Sequence, residues 1–129
     1  MGDDRFQIQT RGHVVLADQP RGDDGVEVGP TPVELFVMSL ATCAAHYAAG
    51  YLRHQGLPQE DLRVECRWTM RADPPRVGRV ELTVVAPVPL DADRTAALLA
   101  AVDHCTVQNS LRQPPEVRVA VAEMGVVSL

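Results

Sequence analysis

The feature that most constrains this chain is the segment from Thr31 to Gly56, which contains almost no charge. Thr31 and Glu34 form the T-x-x-E pattern of a capping box, and Pro32 suits the first helical position. Gly56 is a typical helix stop. A helix that is apolar on all sides is buried on all sides or crosses a membrane. The segment therefore predicts one long helix at the centre of the fold.

Short alternating segments before and after this helix predict strands. Residues 5–10 and 13–17 predict two strands that meet at a turn, Arg11-Gly12. Apolar and polar residues alternate strictly over 61–72, which predicts a half-buried strand, with 77–88 as its antiparallel partner.

The last third of the chain predicts one more helix and one more strand. Asp91 is a candidate cap for a helix whose apolar stripe runs over 94–102. A short turn through Gln108 and Leu111 follows it. Residues 117–124 alternate again, and we expect them to close the sheet. This order of elements predicts an α+β fold in a single domain, residues 1–129.

Charge and composition exclude several classes of partner. The formal net charge is -5 and no basic patch is present, so we expect no nucleic-acid partner. Glu34 and His46 interrupt the apolar helix, so we expect no membrane span. The acidic start, MGDDRF, does not resemble a signal peptide. We therefore expect a cytoplasmic protein whose three cysteines are reduced, catalytic or redox-sensing.

The long helix also predicts an oligomer. One small sheet and one shorter helix leave part of such an apolar helix uncovered. Small residues crowd its second half and permit close approach of another element: Ala41, Ala44, Ala45, Ala48, Ala49 and Gly50. We therefore expect a two-fold homodimer that packs through this helix.

Two motifs give the chain a resemblance to a known family. The segments GPTPVELFVMSLATC (29–43) and HCTVQNSLR (104–112) resemble the OsmC/Ohr family of osmotically inducible and organic-hydroperoxide-resistance proteins. The resemblance implies an antiparallel sheet packed on a long central helix and a second helix, in an intertwined homodimer. It also implies active sites at the subunit interface. Characterised enzymes of the family reduce organic hydroperoxides through two cysteines, and some draw electrons from dithiols.

The resemblance also implies site residues. Cys43 would be the reactive thiol, and Cys105 the resolving thiol. The acidic residue that holds an activating Arg in the hydroperoxidases would be Glu34, because Val33 stands at the usual position. By helix geometry Glu34 lies about 13 Å along the axis from Cys43 and on the opposite side. The capping box gives Glu34 a structural role as an alternative.

Other residues leave alternatives open. Arg11, Arg21 and Arg112 are candidates for the activating cation, and each also suits the protein surface. In the resemblance Thr106 replaces a proline after the second cysteine.

Further residues are candidates for a substrate pocket or for a metal site. We expect Phe36, Met38 and Tyr47 to line an apolar pocket for a small organic hydroperoxide, and Cys66 to be a core residue. Cys43 and His46, with His104 and Cys105, contain four residue types that zinc binds, but we expect no metal and no cofactor. The alternative function is a catalytically weak protein of the same fold that binds a small apolar ligand or senses redox state.

Overall fold

The computed structural model describes residues 4–22, 25–123 and 126–128. Its central element is helix α1, Pro32–His54, which confirms the predicted long helix. Thr31 Oγ1 accepts from the Glu34 N–H at 3.1 Å, and Glu34 Oε1 accepts from the Thr31 N–H at 2.9 Å. The helix ends where Gly56 takes a φ of 67°, and Leu57 N donates to Leu52 O. This is a Schellman-type stop, in which glycine adopts the left-handed conformation without strain.

Two antiparallel strand pairs flank α1 in the chain. Strand β1 (Phe6–Thr10) pairs with β2 (His13–Ala17) across the predicted turn. Arg11 and Gly12 both have positive φ, as a two-residue turn with the twist of a hairpin requires. After α1, β3 (Arg63–Ala72) pairs with β4 (Pro75–Val85), with an irregularity in register between Thr69 and Met70.

Two helices follow the second strand pair. Helix α2 (Ala92–Val102) begins as predicted at Asp91, whose Oδ1 accepts from the Arg94 N–H at 2.8 Å. The predicted turn through Gln108 and Leu111 is wrong, because these residues lie in a third helix, α3 (Thr106–Arg112). Pro114 and Pro115 lie beyond this helix and limit its length.

The predicted closing strand is also corrected. Within 117–123 only Val121–Glu123 forms a strand, β5, and it pairs with β6 (Val126–Ser128) in a separate hairpin. Met124, the last residue of the prediction, lies outside the described residues. Alternation indicates an extended segment, but it carries no information about which strand edge that segment meets. The described strands therefore form three two-stranded antiparallel sheets rather than one.

The core lies along one stripe of α1. Its buried members are Val37, Leu40, Ala44, Ala48 and Leu52. Leu98 of α2 and Cys105, just before α3, are buried too, and α1 also contacts β3 and β4. Helix α1 is long and apolar enough to cross a membrane. Because it packs against four elements of this α+β fold, it is the core helix of a folded domain.

Candidate functional site

The structure brings together the two cysteines that the sequence singled out. Cys43 lies in the middle of α1 and is half-buried, whereas Cys105 directly precedes the first residue of α3 and is buried. Packing of α3 against α1 brings the two thiols close enough to hydrogen-bond to each other. Both are free thiols. Two residues that are far apart in the chain therefore form one dithiol site.

The surroundings of the two thiols shift their pKa values in opposite directions. Burial raises the pKa of Cys43, but hydrogen bonds from the Cys105 thiol and from the backbone N–H groups of Val107 and Thr106 outweigh it. The net pKa of Cys43 is lowered. Burial and the hydrogen bond to Cys43 raise the pKa of Cys105. Because a thiolate is the nucleophile in thiol chemistry, the lowered pKa makes Cys43 the stronger candidate for a reactive thiol, and this role stays a prediction.

The N–H groups that favour the Cys43 thiolate come from α3, the helix that the sequence did not predict. Tyr47, one turn after Cys43 on α1, places its hydroxyl 3.0 Å from Oγ1 of Thr106. Sequence analysis missed Thr106 and Val107 as site residues. No local pattern could have found them, since their contribution depends on how α3 docks on α1.

Arg21 lies in a cluster around a buried carboxylate. Asp18 is 1% exposed, and it accepts hydrogen bonds from Arg21, from Arg5 Nε at 3.2 Å, and from the backbone N–H groups of Gln19 and Val28. Arg21 foremost, with these backbone bonds, holds the pKa of Asp18 well below its usual range, although burial opposes the shift. The cluster therefore joins Asp18, just after β2, to Arg21 and Val28 farther along the chain.

The other residues predicted for the activating pair lie in separate places. Arg11 is exposed in the β1–β2 turn. Arg112 is bound to α3 and to the end of α2, because it donates to Asn109 Oδ1 at 3.0 Å and to the backbone oxygen of Asp103 at 3.1 Å. Glu34 forms the capping box. Its role in catalysis, and that of each Arg, stays a prediction.

A groove lies beside Phe36 and Leu40 of α1, and neither Cys43 nor Cys105 is among its lining residues. It encloses about 740 Å³ between α1, α2, α3 and β4, and its apolar lining includes Phe36, Leu40, Leu99 and Leu111. Phe36, Leu40 and Cys43 share one face of α1, since they are four and three residues apart. Phe36 thus lines this groove, and its part in a hydroperoxide pocket stays a prediction.

Tyr47 and Met38 lie elsewhere. Tyr47 lines a second cleft of about 480 Å³, with His46 and His104. The Met38 side chain is 51% exposed. The two predicted lining residues other than Phe36 therefore contribute nothing to the larger groove.

The remaining predictions concern zinc and Cys66. Among the described residues no group of three or more His, Cys, Asp or Glu side chains could hold a metal ion. We predicted that Cys66 is a core residue, but the structure shows that it is only half-buried. It lies on the same face of β3 as Trp68 and Met70, which are 38% and 51% exposed. The first half of β3 is therefore partly covered, and its second half is exposed.

Comparisons with known proteins agree with this architecture. Residues 22–120 match the family model described as OsmC-like protein. A structure from Psychrobacter arcticus, described as an osmotic stress induced and detoxification response protein, has a TM-score of 0.75 at 24% identity. The match covers 84% of this chain and 81% of that chain.

Two further solved structures are similar. One is from Legionella pneumophila and is described as an organic hydroperoxide resistance protein OsmC, predicted redox protein and regulator of sulfide bond formation. It has a TM-score of 0.58 at 23% identity, and the match covers 84% of this chain and 87% of that chain. The other, an OsmC-like hydroperoxide resistance protein from Jannaschia sp., has a TM-score of 0.57 at 19% identity. The match covers 99% of this chain and 91% of that chain. At these identities the likeness establishes the fold. No curated protein sequence matches the chain significantly.

Proposed function

This chain belongs to the OsmC-like protein family, and on that premise we propose that it is a thiol-dependent peroxidase that reduces organic hydroperoxides in oxidative-stress defence. Family membership supports a general redox or stress-response role. The finer proposal is carried by one observation. Cys43, whose pKa is lowered, lies beside Cys105, a buried thiol whose pKa is raised.

The proposed reaction has three steps. The Cys43 thiolate attacks the outer peroxide oxygen, so that the O–O bond breaks, Cys43 becomes a sulfenic acid and the alcohol leaves after taking a proton. Cys105 then attacks the sulfenic sulfur, and a disulfide forms with loss of water. A dithiol reductant restores both thiols by exchange and is itself oxidised to a disulfide.

The groove lined by Phe36 and Leu40 suits the organic part of such a substrate. Its lining includes apolar side chains from three helices and β4, so an alkyl or aryl group gains by leaving water there. Hydrogen peroxide has no such group. We therefore propose that organic hydroperoxides are preferred over hydrogen peroxide.

We also propose a homodimer in the cytoplasm. Val117 and Val119 are 78% and 85% exposed, and Met38 on α1 is half exposed. Apolar side chains at this exposure gain by burial against a second copy. Light scattering on the eluting protein measures the mass directly, and a monomer at micromolar concentration would contradict this part of the proposal.

Glu34 enters the proposal through the helix that carries Cys43. In the capping box it fixes the first turn of α1, and so helps to orient the stripe on which Cys43 lies. A direct part for its carboxylate, paired with Arg11, Arg21 or Arg112, stays the alternative, and Glu34→Gln separates the two roles.

The experiment is to treat reduced protein with one equivalent of cumene hydroperoxide while thiol loss and intact mass are followed. We expect rapid loss of two thiols and a Cys43–Cys105 disulfide in the peptide map. Cys43→Ser abolishes hydroperoxide consumption and leaves the oligomer intact, whereas the matched control Cys66→Ser keeps the wild-type rate. Full activity in Cys43→Ser would overturn the assignment.

A second function is favoured by a different observation. Glu34 is held in the capping box, and Arg21 and Arg112 are held by Asp18 and Asp103. A family member without an activating Arg would bind a small apolar ligand in the groove or sense redox state, with little turnover. Slow oxidation of all three cysteines in the same experiment would favour this function.

A further inference from the structure

The second cleft gathers residue types that are rare in this chain. The sequence has four histidines and two tyrosines. Both tyrosines, three of the histidines and one arginine line the cleft: Tyr47, Tyr51, His46, His54, His104 and Arg53. We call it the histidine–tyrosine cleft. His104 follows α2, and the other five residues lie in the second half of α1. Its volume of about 480 Å³ is typical of small-molecule sites.

The charge of this cleft is opposite in sign to that of the chain. The formal net charge of the chain is -5, yet among the residues that the structure describes no Asp or Glu lines the cleft. Arg53 is permanently positive, and histidine can donate a hydrogen bond in either charge state. An anion in the cleft therefore meets a cation and several donors, and no carboxylate lines the cleft to repel it.

The Arg53 guanidinium is held beside Gly50, which also lines the cleft. Its Nη1 donates to Gln59 Oε1 at 3.0 Å. Its Nη2 lies 3.8 Å from the position that a Cβ on Gly50 would take, which is ordinary van der Waals contact. Glycine destabilises a helix interior relative to alanine, and the space at position 50 does not require it. The missing side chain keeps the cleft open next to the guanidinium.

The tyrosines form an aromatic wall that exists without a ligand. Tyr47 and Tyr51 are four residues apart, so they are neighbours on one face of α1, and both are half-buried. The Tyr47 hydroxyl lies 3.0 Å from Oγ1 of Thr106. The His46 ring meets the Tyr47 ring edge-on, with centroids 5.3 Å apart. A wall that is already held in place loses little freedom when a ligand binds.

We propose that the histidine–tyrosine cleft is a binding site for a small aromatic carboxylate. The Arg53 guanidinium donates to the carboxylate, and the rings of Tyr47 and Tyr51 contact the aromatic ring, which gains by leaving water. Inorganic phosphate would match only the charge, and a neutral aromatic only the wall. Neither Cys43 nor Cys105 lines the cleft. The site is therefore separate from the dithiol, and the proposal does not depend on the proposed function.

The first test compares three probes on the full-length wild-type protein at neutral pH. Isothermal titration calorimetry measures the dissociation constants of 2-naphthoate, of the neutral 2-naphthamide and of inorganic phosphate. We expect 2-naphthoate to bind, and each of the other two to bind at least about tenfold more weakly, since a hydrogen bond to a charged group has an effect of that size. Equal affinities for 2-naphthoate and 2-naphthamide would overturn the proposal. Absence of binding at millimolar 2-naphthoate, as when a second copy of the chain covers the cleft, would also overturn it.

The second test locates the probe with variants of exposed or helical positions. Arg53→Gln should weaken 2-naphthoate binding about tenfold and leave 2-naphthamide binding unchanged, and Arg53→Lys should lose less because it keeps the charge. Gly50→Leu fills the space beside the guanidinium and should weaken binding of both aromatic probes. The matched control is His13→Gln, which changes the exposed fourth histidine on β2 and should bind as the wild type does.

Circular dichroism shows that each variant is folded before its affinity is compared. Wild-type affinity for 2-naphthoate in Arg53→Gln would overturn the proposal. Wild-type affinity in folded Gly50→Leu would place the probe elsewhere, for example in the groove lined by Phe36 and Leu40, and would overturn it too. No peroxide is consumed in these measurements, so their outcome is distinguishable from that of the peroxidase experiment.

Discussion

The capping box at the start of α1 allows the structural and catalytic roles of Glu34 to be separated. Thr31 Oγ1 accepts from the Glu34 N–H at 3.1 Å, and Glu34 Oε1 accepts from the Thr31 N–H at 2.9 Å. Thr31→Ala removes the first bond, and Glu34→Ala removes the second. Glu34→Gln keeps an oxygen at the same position, and glutamine also completes a capping box. The three variants therefore distinguish loss of the box from loss of the negative charge.

The magnitudes follow from the cap. Loss of an N-cap side chain costs about 1 kcal/mol of unfolding free energy. The entropy of unfolding is about 2.1 cal/mol/K per residue, so for a chain of this length 1 kcal/mol lowers Tm by about 4 °C. We expect this loss in Thr31→Ala and a similar one in Glu34→Ala. Glu34→Gln loses only the interaction of a charge with the helix dipole, which is about 0.5 kcal/mol or 2 °C.

Thermal unfolding and initial rates of cumene hydroperoxide consumption are measured on the same preparations. If Glu34 acts through the helix start alone, Glu34→Gln retains activity within about threefold, equivalent to 0.7 kcal/mol of barrier. A loss of tenfold or more in Glu34→Gln, with Tm within about 2 °C of the wild type, would refute the structural reasoning. It would assign the carboxylate a direct part in catalysis.

Two further predictions concern stability. Asp18 has a lowered pKa in the folded protein, so its contribution to stability is present above its unfolded pKa of about 3.9 and is lost as pH falls through and below that value. Denaturant midpoints at a series of acidic pH values should fall steeply in the wild type. In Asp18→Asn the midpoint should be lower at neutral pH and change less with acid, and an unchanged acid dependence would contradict the role of the cluster. Leu52 is fully buried at the last turn of α1, and Leu52→Ala should cost about 2–5 kcal/mol because it leaves a cavity. A loss below about 1 kcal/mol in chemical denaturation would mean that this end of the helix is loosely packed.

The sequence predicts most elements of the fold because their signals are local. Thr31, Pro32 and Glu34 define the start of α1, and the alternation in 61–72 predicts β3, whose observed bounds are Arg63–Ala72. The Arg11-Gly12 turn is predicted correctly for the same reason, since its neighbours in the chain determine it. The family resemblance rests on two such local motifs.

Only the tertiary structure decides how these elements meet. The segment after Cys105 forms α3 although its own pattern suggests a turn, and the valines at 117–121 alternate without joining the other sheets. Each outcome depends on packing partners that are distant in the chain, about which a local pattern carries no information.

The candidate site divides in the same way. The sequence by itself determined that Cys43 lies in the middle of a long apolar helix and that a second cysteine follows far downstream. Only the docking of α3 on α1 decides that Cys105 and the backbone of Thr106 and Val107 lie near Cys43 and lower its pKa. The physical reason is that a thiol's charge depends on the groups within a few ångströms of it, and in this protein those groups come from another part of the chain.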